Sequence, residues 1–204
     1  MTQPKLLLAS TSPYRRRCLD NLGIRFDVAA PNVDETARPD EQASDLVLRL
    51  AREKSRALAD RFPDHLIIGS DQLAVAADGK VMAKPGSLAN AFEQLSHCSG
   101  SRVSFLTGIS LHLASSQWEY ATVEQFDVCF RNLAPDQIRR YLETERPFDC
   151  AGSFKMEGLG IALFERLEGR DPNALIGLPL IALEDGLQAR GLSLMDYAST
   201  EGAP

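Results

Sequence analysis

Apolar residues in this chain gather into short continuous runs in its first third and alternate with polar ones further on. Lys5-Leu6-Leu7-Leu8-Ala9 is such a run and predicts a buried strand. Ser12 can cap a following helix with Pro13 at its first position, and Gly23 stops it, which predicts a helix over 13–22. Residues 25–29 read as a second strand and 31–36 as a loop. An amphipathic helix is predicted over 41–61, with Ala43, Val47, Leu50, Ala57 and Arg61 along one face. Leu66-Ile67-Ile68-Gly69 is a buried strand, and Asp78-Gly79 is a hairpin turn between 73–76 and 80–83. Ser87 opens a helix that ends before Gly100, and the alternating runs 102–113 and 118–131 predict antiparallel strands. A helix over 135–145, a glycine-containing loop over 150–160, a strand over 161–166 and a helix near 179–190 complete the pattern.

This order predicts an α/β protein: a mixed, elongated central sheet flanked by helices, in two lobes with a cleft between them. The expected organisation is one domain over 1–195 and a small, polar, flexible tail over 196–204. No apolar run approaches the ~18–20 residues of a membrane span, and the start lacks a signal-peptide core, so a cytoplasmic protein without membrane attachment is expected. The net charge of −6 argues against binding a nucleic acid polymer over a broad surface, but leaves room for a small phosphorylated ligand held by a few cations in one cleft. Cys18, Cys98, Cys129 and Cys150 are scattered with no C-x-x-C pair, so reduced, mostly buried thiols are expected rather than zinc or disulfides.

The chemistry concentrates in a few places. Ser10-Thr11-Ser12-Pro13-Tyr14-Arg15-Arg16 puts hydroxyls, free backbone N–H groups and two guanidinium groups at one helix N-terminus, an arrangement that suits an anion. Asp71 follows the buried strand at its C-terminal end, where α/β proteins place ligands and where a carboxylate can bind a metal or take a proton from water. Lys54 stands four residues after Leu50 on the apolar helix face, so it either snorkels to the surface or reaches a buried anion. Lys84 and the loop carboxylate Glu35 are weaker pointers, each as readily a solvated surface residue. The loop Cys150-Ala151-Gly152-Ser153-Phe154-Lys155-Met156-Glu157-Gly158 is placed either to close over a ligand or simply to connect.

Together these segments resemble the Maf family of nucleoside triphosphate pyrophosphatases. The resemblance runs from about 5 to 190 through ASTSPYRR (9–16), VDET (33–36), REKSRAL (52–58), IIGSDQ (67–72), AKPGS (83–87), CAGSFKMEGLG (150–160) and GRDPNALIGLPL (169–180). It implies an inosine triphosphatase-like fold and hydrolysis of a nucleoside triphosphate to its monophosphate and pyrophosphate, with a divalent cation (Mg, Mn or Co). By position it implies Asp71 as proton acceptor, Lys54 and Lys84 as catalytic cations, Ser10 and Arg15 as phosphate contacts, and Glu35 with Asp71 as metal carboxylates. The nearest branch is the one that hydrolyses 7-methyl-GTP, whose base-selecting positions fall on Tyr14, Gln72 and Glu157; in the branch directed at thymidine and uridine nucleotides the same places carry Arg, Thr and Gln. Tyr14 stands where the 7-methyl-GTP branch usually has Trp, and Met156 where a smaller residue is usual. A homodimer is compatible with the resemblance. The alternatives are a pyrophosphatase of broader base range (GTP, UTP or modified nucleotides) and a nucleotide-binding regulator of cell division with little turnover.

Overall fold

Leu6, Leu7 and Leu8 are fully buried because both faces of their strand, β1 (Lys5–Ala9), are covered by packed side chains; along its edges it pairs with β2 (Phe26–Ala29) on one side and β3 (His65–Ala76) on the other, both parallel to it. The computed structural model describes residues 3–198. Between these strands lie α1 (Pro13–Asp20) and α2 (Ala43–Arg56). Then come β4 (Val81–Met82), α3 (Leu88–Cys98), β5 (Arg102–Leu113), β6 (Trp118–Phe130), α4 (Pro135–Glu145), β7 (Phe164–Gly169) and α5 (Leu180–Gln188). The main sheet order is β2-β1-β3-β5-β6-β7, and from β3 onward every pairing is antiparallel.

Strands β3, β5 and β6 are long enough to run through both halves of the molecule. In one half, Leu6, Leu8, Leu66 and Ile68 pack with Cys18 and Leu19 of α1 and Leu183 and Leu187 of α5. In the other, the far ends of β3 and β5 pack with α3, α4 and the aromatic cluster of Phe105, Phe130, Phe154 and Phe164. The expected two-lobed, mixed α/β architecture is therefore what forms, with one continuous sheet as its spine.

The edge of β3 that faces β1 explains the cleft. β1 pairs with it only as far as Gly69, and the short β4 pairs with it again from Ala74. Residues 70–73 have no sheet neighbour on that edge among the described residues, and the space left open is where the two lobes part.

Several boundaries differ from expectation for identifiable reasons. The long helix ends at Arg56, not 61, and its buried stripe is Leu46, Val47, Leu50, Ala51, Lys54 and Ser55, so Ala57 is exposed and Arg61 lies beyond the helix. The strand expected over 161–166 is displaced to 164–169, because Leu159–Leu163 forms a 3₁₀ turn with Ile161 exposed. The tail expected from 196 begins inside packed structure: Tyr197 is buried and Ala198 pairs with Ile24, while residues 199–204 of that segment lie outside the described residues. All four cysteines are free. Among the described residues no helix is long and apolar enough to cross a membrane.

Candidate active site

Gly69 and Gly108 determine how closely α2 can approach the sheet. A Cβ on Gly69 would overlap the Ala51 carbonyl oxygen of α2, and one on Gly108, diagonally across on β5, would overlap the Val47 carbonyl. With both side chains absent, the helix backbone lies directly on the strands, and the buried Ser55 and Ser110 hydroxyls meet at 3.0 Å. Asp71 is the residue paired with Gly108 in the sheet register, on the same face of β3 as Gly69. Lys54, one turn beyond Leu50 on α2, thus reaches it: Nζ lies 2.6 Å from Asp71 Oδ1.

Lys54 is 5% exposed, so of its two readings the structure selects the buried anion. It has a second partner, Glu35 Oε1, also at 2.6 Å. That hydrogen bond holds the Glu35 carboxyl below its ordinary range against the opposing effect of burial. Lys54 is the one donor to Asp71 among the described residues, and its contact is to Oδ1.

Glu35 sits on a segment without regular structure, and Arg49 of α2 ties that segment down. Arg49 donates to Glu41 Oε1 at 2.6 Å and Oε2 at 2.8 Å, to Glu53 at 3.1 Å and to the Thr36 carbonyl at 3.1 Å. The Glu41 carboxyl is drawn down to about 2 by Arg49, with help from the Arg38 backbone N–H.

The helix N-terminus forms as expected. Ser12 Oγ accepts from the Arg15 N–H at 3.4 Å, and the buried Ser10 hydroxyl accepts from the Ser12 N–H at 3.1 Å. Arg15 is half-buried and donates through Nε to the Gly177 carbonyl at 2.8 Å. Burial pushes its guanidinium pKa down, and the negative charges of Asp71 and Glu35 work against that. Arg16 points away and pairs with Asp20 at 3.5 Å on the exposed side of α1. Lys84 is exposed on the segment after β4.

At the other end of the cleft, Tyr14 donates its phenol O–H to Asp149 Oδ2 at 3.0 Å, and burial is the main cause pushing the phenol pKa up. Gln72 donates through Nε2 to Thr107 Oγ1 at 3.1 Å and to the Ala174 carbonyl. Because a carbonyl can only accept, the amide orientation is assigned by that partner, and its Oε1 is left as the acceptor. Glu157 is exposed and forms no ion pair among the described residues, while neighbouring Met156 packs against the core of its lobe.

Ser10, Tyr14, Arg15, Glu35, Lys54, Asp71, Gln72, Lys84 and Glu157 all line one cavity of about 540 Å³. Sequence reasoning missed the parts that hold them: Gly69 and Gly108, Arg49, Asp149, and the carbonyls of Ala174 and Gly177. The 3₁₀ turn Pro172–Ile176 presents the first and its C-terminal cap Gly177 the second, and the fully buried Asp171 secures the turn. Asp171 accepts from Asn173 N–H at 2.9 Å and from the Ile181 N–H at the start of α5 at 2.7 Å. Asp171-Pro172 was a visible cap signal; the glycine pair, joined only through the sheet, left none.

Among the described residues no group of three or more His, Cys, Asp or Glu side chains could by itself hold a metal. Glu35 and Asp71, each bonded to Lys54, are carboxylates that could hold a magnesium-like cation, which typically takes one or two protein carboxylates and completes its shell with water and substrate phosphates.

Residues 5–190 match a family model described as Maf-like protein. Among solved structures, the Ham1 protein of Staphylococcus aureus aligns with 76% of this chain and 89% of its own, at 14% identity and a TM-score of 0.47. A HAM1 protein from Coxiella burnetii aligns with 64% and 75%, at 13% identity and a TM-score of 0.43.

Proposed function

The chain belongs to the Maf-like protein family, and on that premise we propose that it is a nucleoside triphosphate pyrophosphatase whose preferred substrate is 7-methyl-GTP. The observation that carries the reading is the Glu35–Lys54–Asp71 arrangement, a buried ammonium between two carboxylates in a cleft that also holds Arg15 and Lys84.

In the proposed reaction the oxygen of water attacks the α-phosphorus and the bond from that phosphorus to the bridging oxygen breaks. Asp71 accepts a proton of the attacking water through the carboxylate oxygen that Lys54 leaves free. Lys54, bonded to the other carboxylate oxygen, holds Asp71 in place. Arg15 and Lys84 stabilise the charge that moves onto the leaving pyrophosphate, where fixed cations act without reorganising. The Ser10 hydroxyl proton and the backbone N–H groups of the α1 N-terminus are donors for phosphate oxygens. A divalent cation held by Glu35 and Asp71 would neutralise part of the triphosphate charge.

Base selection follows from three groups. N7-methylation makes guanine cationic, and a cation over the Tyr14 ring gains roughly 0.5–2 kcal/mol depending on desolvation. Glu157, able only to accept when ionised, suits the N1–H and N2–H₂ donors of guanine. Gln72, with both amide protons committed to Thr107 and Ala174, offers an acceptor as well. Uracil and thymine present an acceptor where guanine presents donors, so this edge disfavours them.

The test is a nucleotide panel with pyrophosphate detection in the presence and absence of Mg²⁺, comparing kcat/KM for 7-methyl-GTP, GTP and UTP. The expected order is 7-methyl-GTP above GTP above UTP. Equal rates across the panel remove the base assignment, and nucleotide binding without pyrophosphate release removes the enzymatic one.

A further inference from the structure

Lys84 and Glu157 lie on opposite irregular segments of the cleft, and both segments hang from one side chain on α3. Gln94 donates through Nε2 to the Ala83 carbonyl at 2.9 Å, immediately before Lys84. The Ser153 hydroxyl donates to Gln94 Oε1 at 2.6 Å, four residues before Glu157. As with Gln72, the carbonyl partner can only accept and so assigns the amide orientation.

The Ser153 arm is under conformational demand. Ser153 is fully buried and has φ of 60°, a left-handed backbone that a residue with a Cβ rarely adopts. It follows Gly152 at φ of 78°, where a Cβ would press on the Phe105 ring at 2.9 Å. Two consecutive left-handed residues persist only when their surroundings hold them, and Gln94 is the side chain that accepts the Ser153 hydroxyl. The Ala83 arm is braced similarly: Asn90, one turn earlier on α3, donates to the Pro85 carbonyl at 2.8 Å, and the Gly86 N–H donates to the Phe148 carbonyl at 2.9 Å.

We propose that Gln94 is a positioning residue that fixes both walls of the cleft through one amide, its nitrogen setting the segment of Lys84 and its oxygen setting the loop of Glu157. The kinetic part of this inference rests on the reading that Lys84 serves the phosphates and Glu157 the base. The structural part does not.

The two arms separate by substitution. Gln94→Glu keeps an acceptor for Ser153 but loses the N–H for Ala83. Ser153→Ala removes only the loop arm. Gln94→Ala removes both. Hydrogen exchange reads the structural part without turnover: Gln94→Ala accelerates exchange in 83–86 and in 150–158, and Ser153→Ala only in 150–158. Kinetics read the rest. Gln94→Glu lowers kcat/KM by about three- to tenfold, the weight of one neutral hydrogen bond, equally for every base. Ser153→Ala instead lowers the ratio of 7-methyl-GTP to GTP by a similar factor. Exchange unchanged in either segment of Gln94→Ala overturns the proposal, as does a Gln94→Glu variant that alters only base preference. If the wild type cleaves no triphosphate while the exchange pattern holds, the functional reading fails and the coupling of the two segments stands.

Discussion

At one end of the cleft, Asp71 and Lys54 sit on a strand and a helix whose backbones touch at Gly69 and Gly108; at the other, Tyr14, Asp149 and Glu157 sit on a helix tip and a loop containing the left-handed pair Gly152–Ser153. The first end is fixed by packed regular elements, and Lys54 pairs there with Asp71 and with Glu35 at 2.6 Å each. The second is fixed by single hydrogen bonds across irregular segments, and Glu157 has no ionic partner among the described residues. The difference suits the two tasks proposed for these ends. Charge stabilisation at a phosphate demands placement within fractions of an ångström, whereas the choice of base needs a surface that can be altered without disturbing that placement. Damage to the first end should therefore remove catalysis, and damage to the second should redirect it.

The largest effect is expected at Asp71. Asp71→Asn keeps the shape and an acceptor for Lys54 but is a far weaker base, and kcat should fall by roughly 10²–10⁴-fold for all nucleotides alike. A uniform loss in a pyrophosphate-release assay assigns Asp71 to the phosphate end alone; a loss that depends on the base shows that the two ends do not act separately. Next comes Gly108→Ala, which touches no ligand. Its methyl group meets the Val47 backbone, which cannot give way like a flexible side chain, so α2 must lift and carry Lys54 away from Asp71. Overpacking of this kind costs about 1–3 kcal/mol of stability. An ångström of misplacement costs on the order of 10²-fold in rate. Thermal melting and kcat on the same preparation measure both; full activity at a lowered melting temperature would show that the close approach serves folding alone.

At the base end the expected effects are smaller. Glu157→Gln, which gains donors and loses its charge, should lower the ratio of kcat/KM for 7-methyl-GTP over UTP by roughly tenfold, about 1.4 kcal/mol, with little change in kcat on the best substrate. A drop in kcat without a change in the ratio would move Glu157 to the phosphate end. The smallest effect concerns the anchor of the Glu35 segment. The Glu41 carboxyl is held down from its ordinary 4.5 to about 2 by Arg49. A depressed carboxyl stabilises the fold above its unfolded value and loses that contribution as pH falls through the folded one. Stability should accordingly decline between about 4.5 and about 2, and Glu41→Gln should flatten that decline in an acid titration followed by circular dichroism. An unchanged acid limb would mean that Arg49 holds the segment without help from this charge.

The same contrast describes what could be read from the chain. Apart from the long helix, the strand expected over 161–166, and the runs 66–69 and 73–76, which merge into β3, the strands, helices and the hairpin at Asp78-Gly79 formed near their expected positions because local periodicity and turn chemistry specify them. Lys54 was visible as a charge on an apolar stripe, and Asp71 as a carboxylate at the end of a buried run. What made them a pair was not visible: Gly69 and Gly108 are 39 positions apart and act only when β3 and β5 align. Asp149 has no local pattern to mark it, since its partner Tyr14 is 135 residues away. The run around Ile161 misled because apolar content alone does not tell an exposed 3₁₀ turn from a strand.

Asp71 is proposed to direct water onto the α-phosphorus. Hydrolysis of 7-methyl-GTP in oxygen-18-labelled water, with mass analysis of both products, tests it directly. The expected result is label in 7-methyl-GMP, unlabelled pyrophosphate, and formation of both slowed by roughly 10²–10⁴-fold with Asp71→Asn. Label in the pyrophosphate, or release of single phosphate, would place the attack elsewhere on the chain of phosphates and remove this role from Asp71.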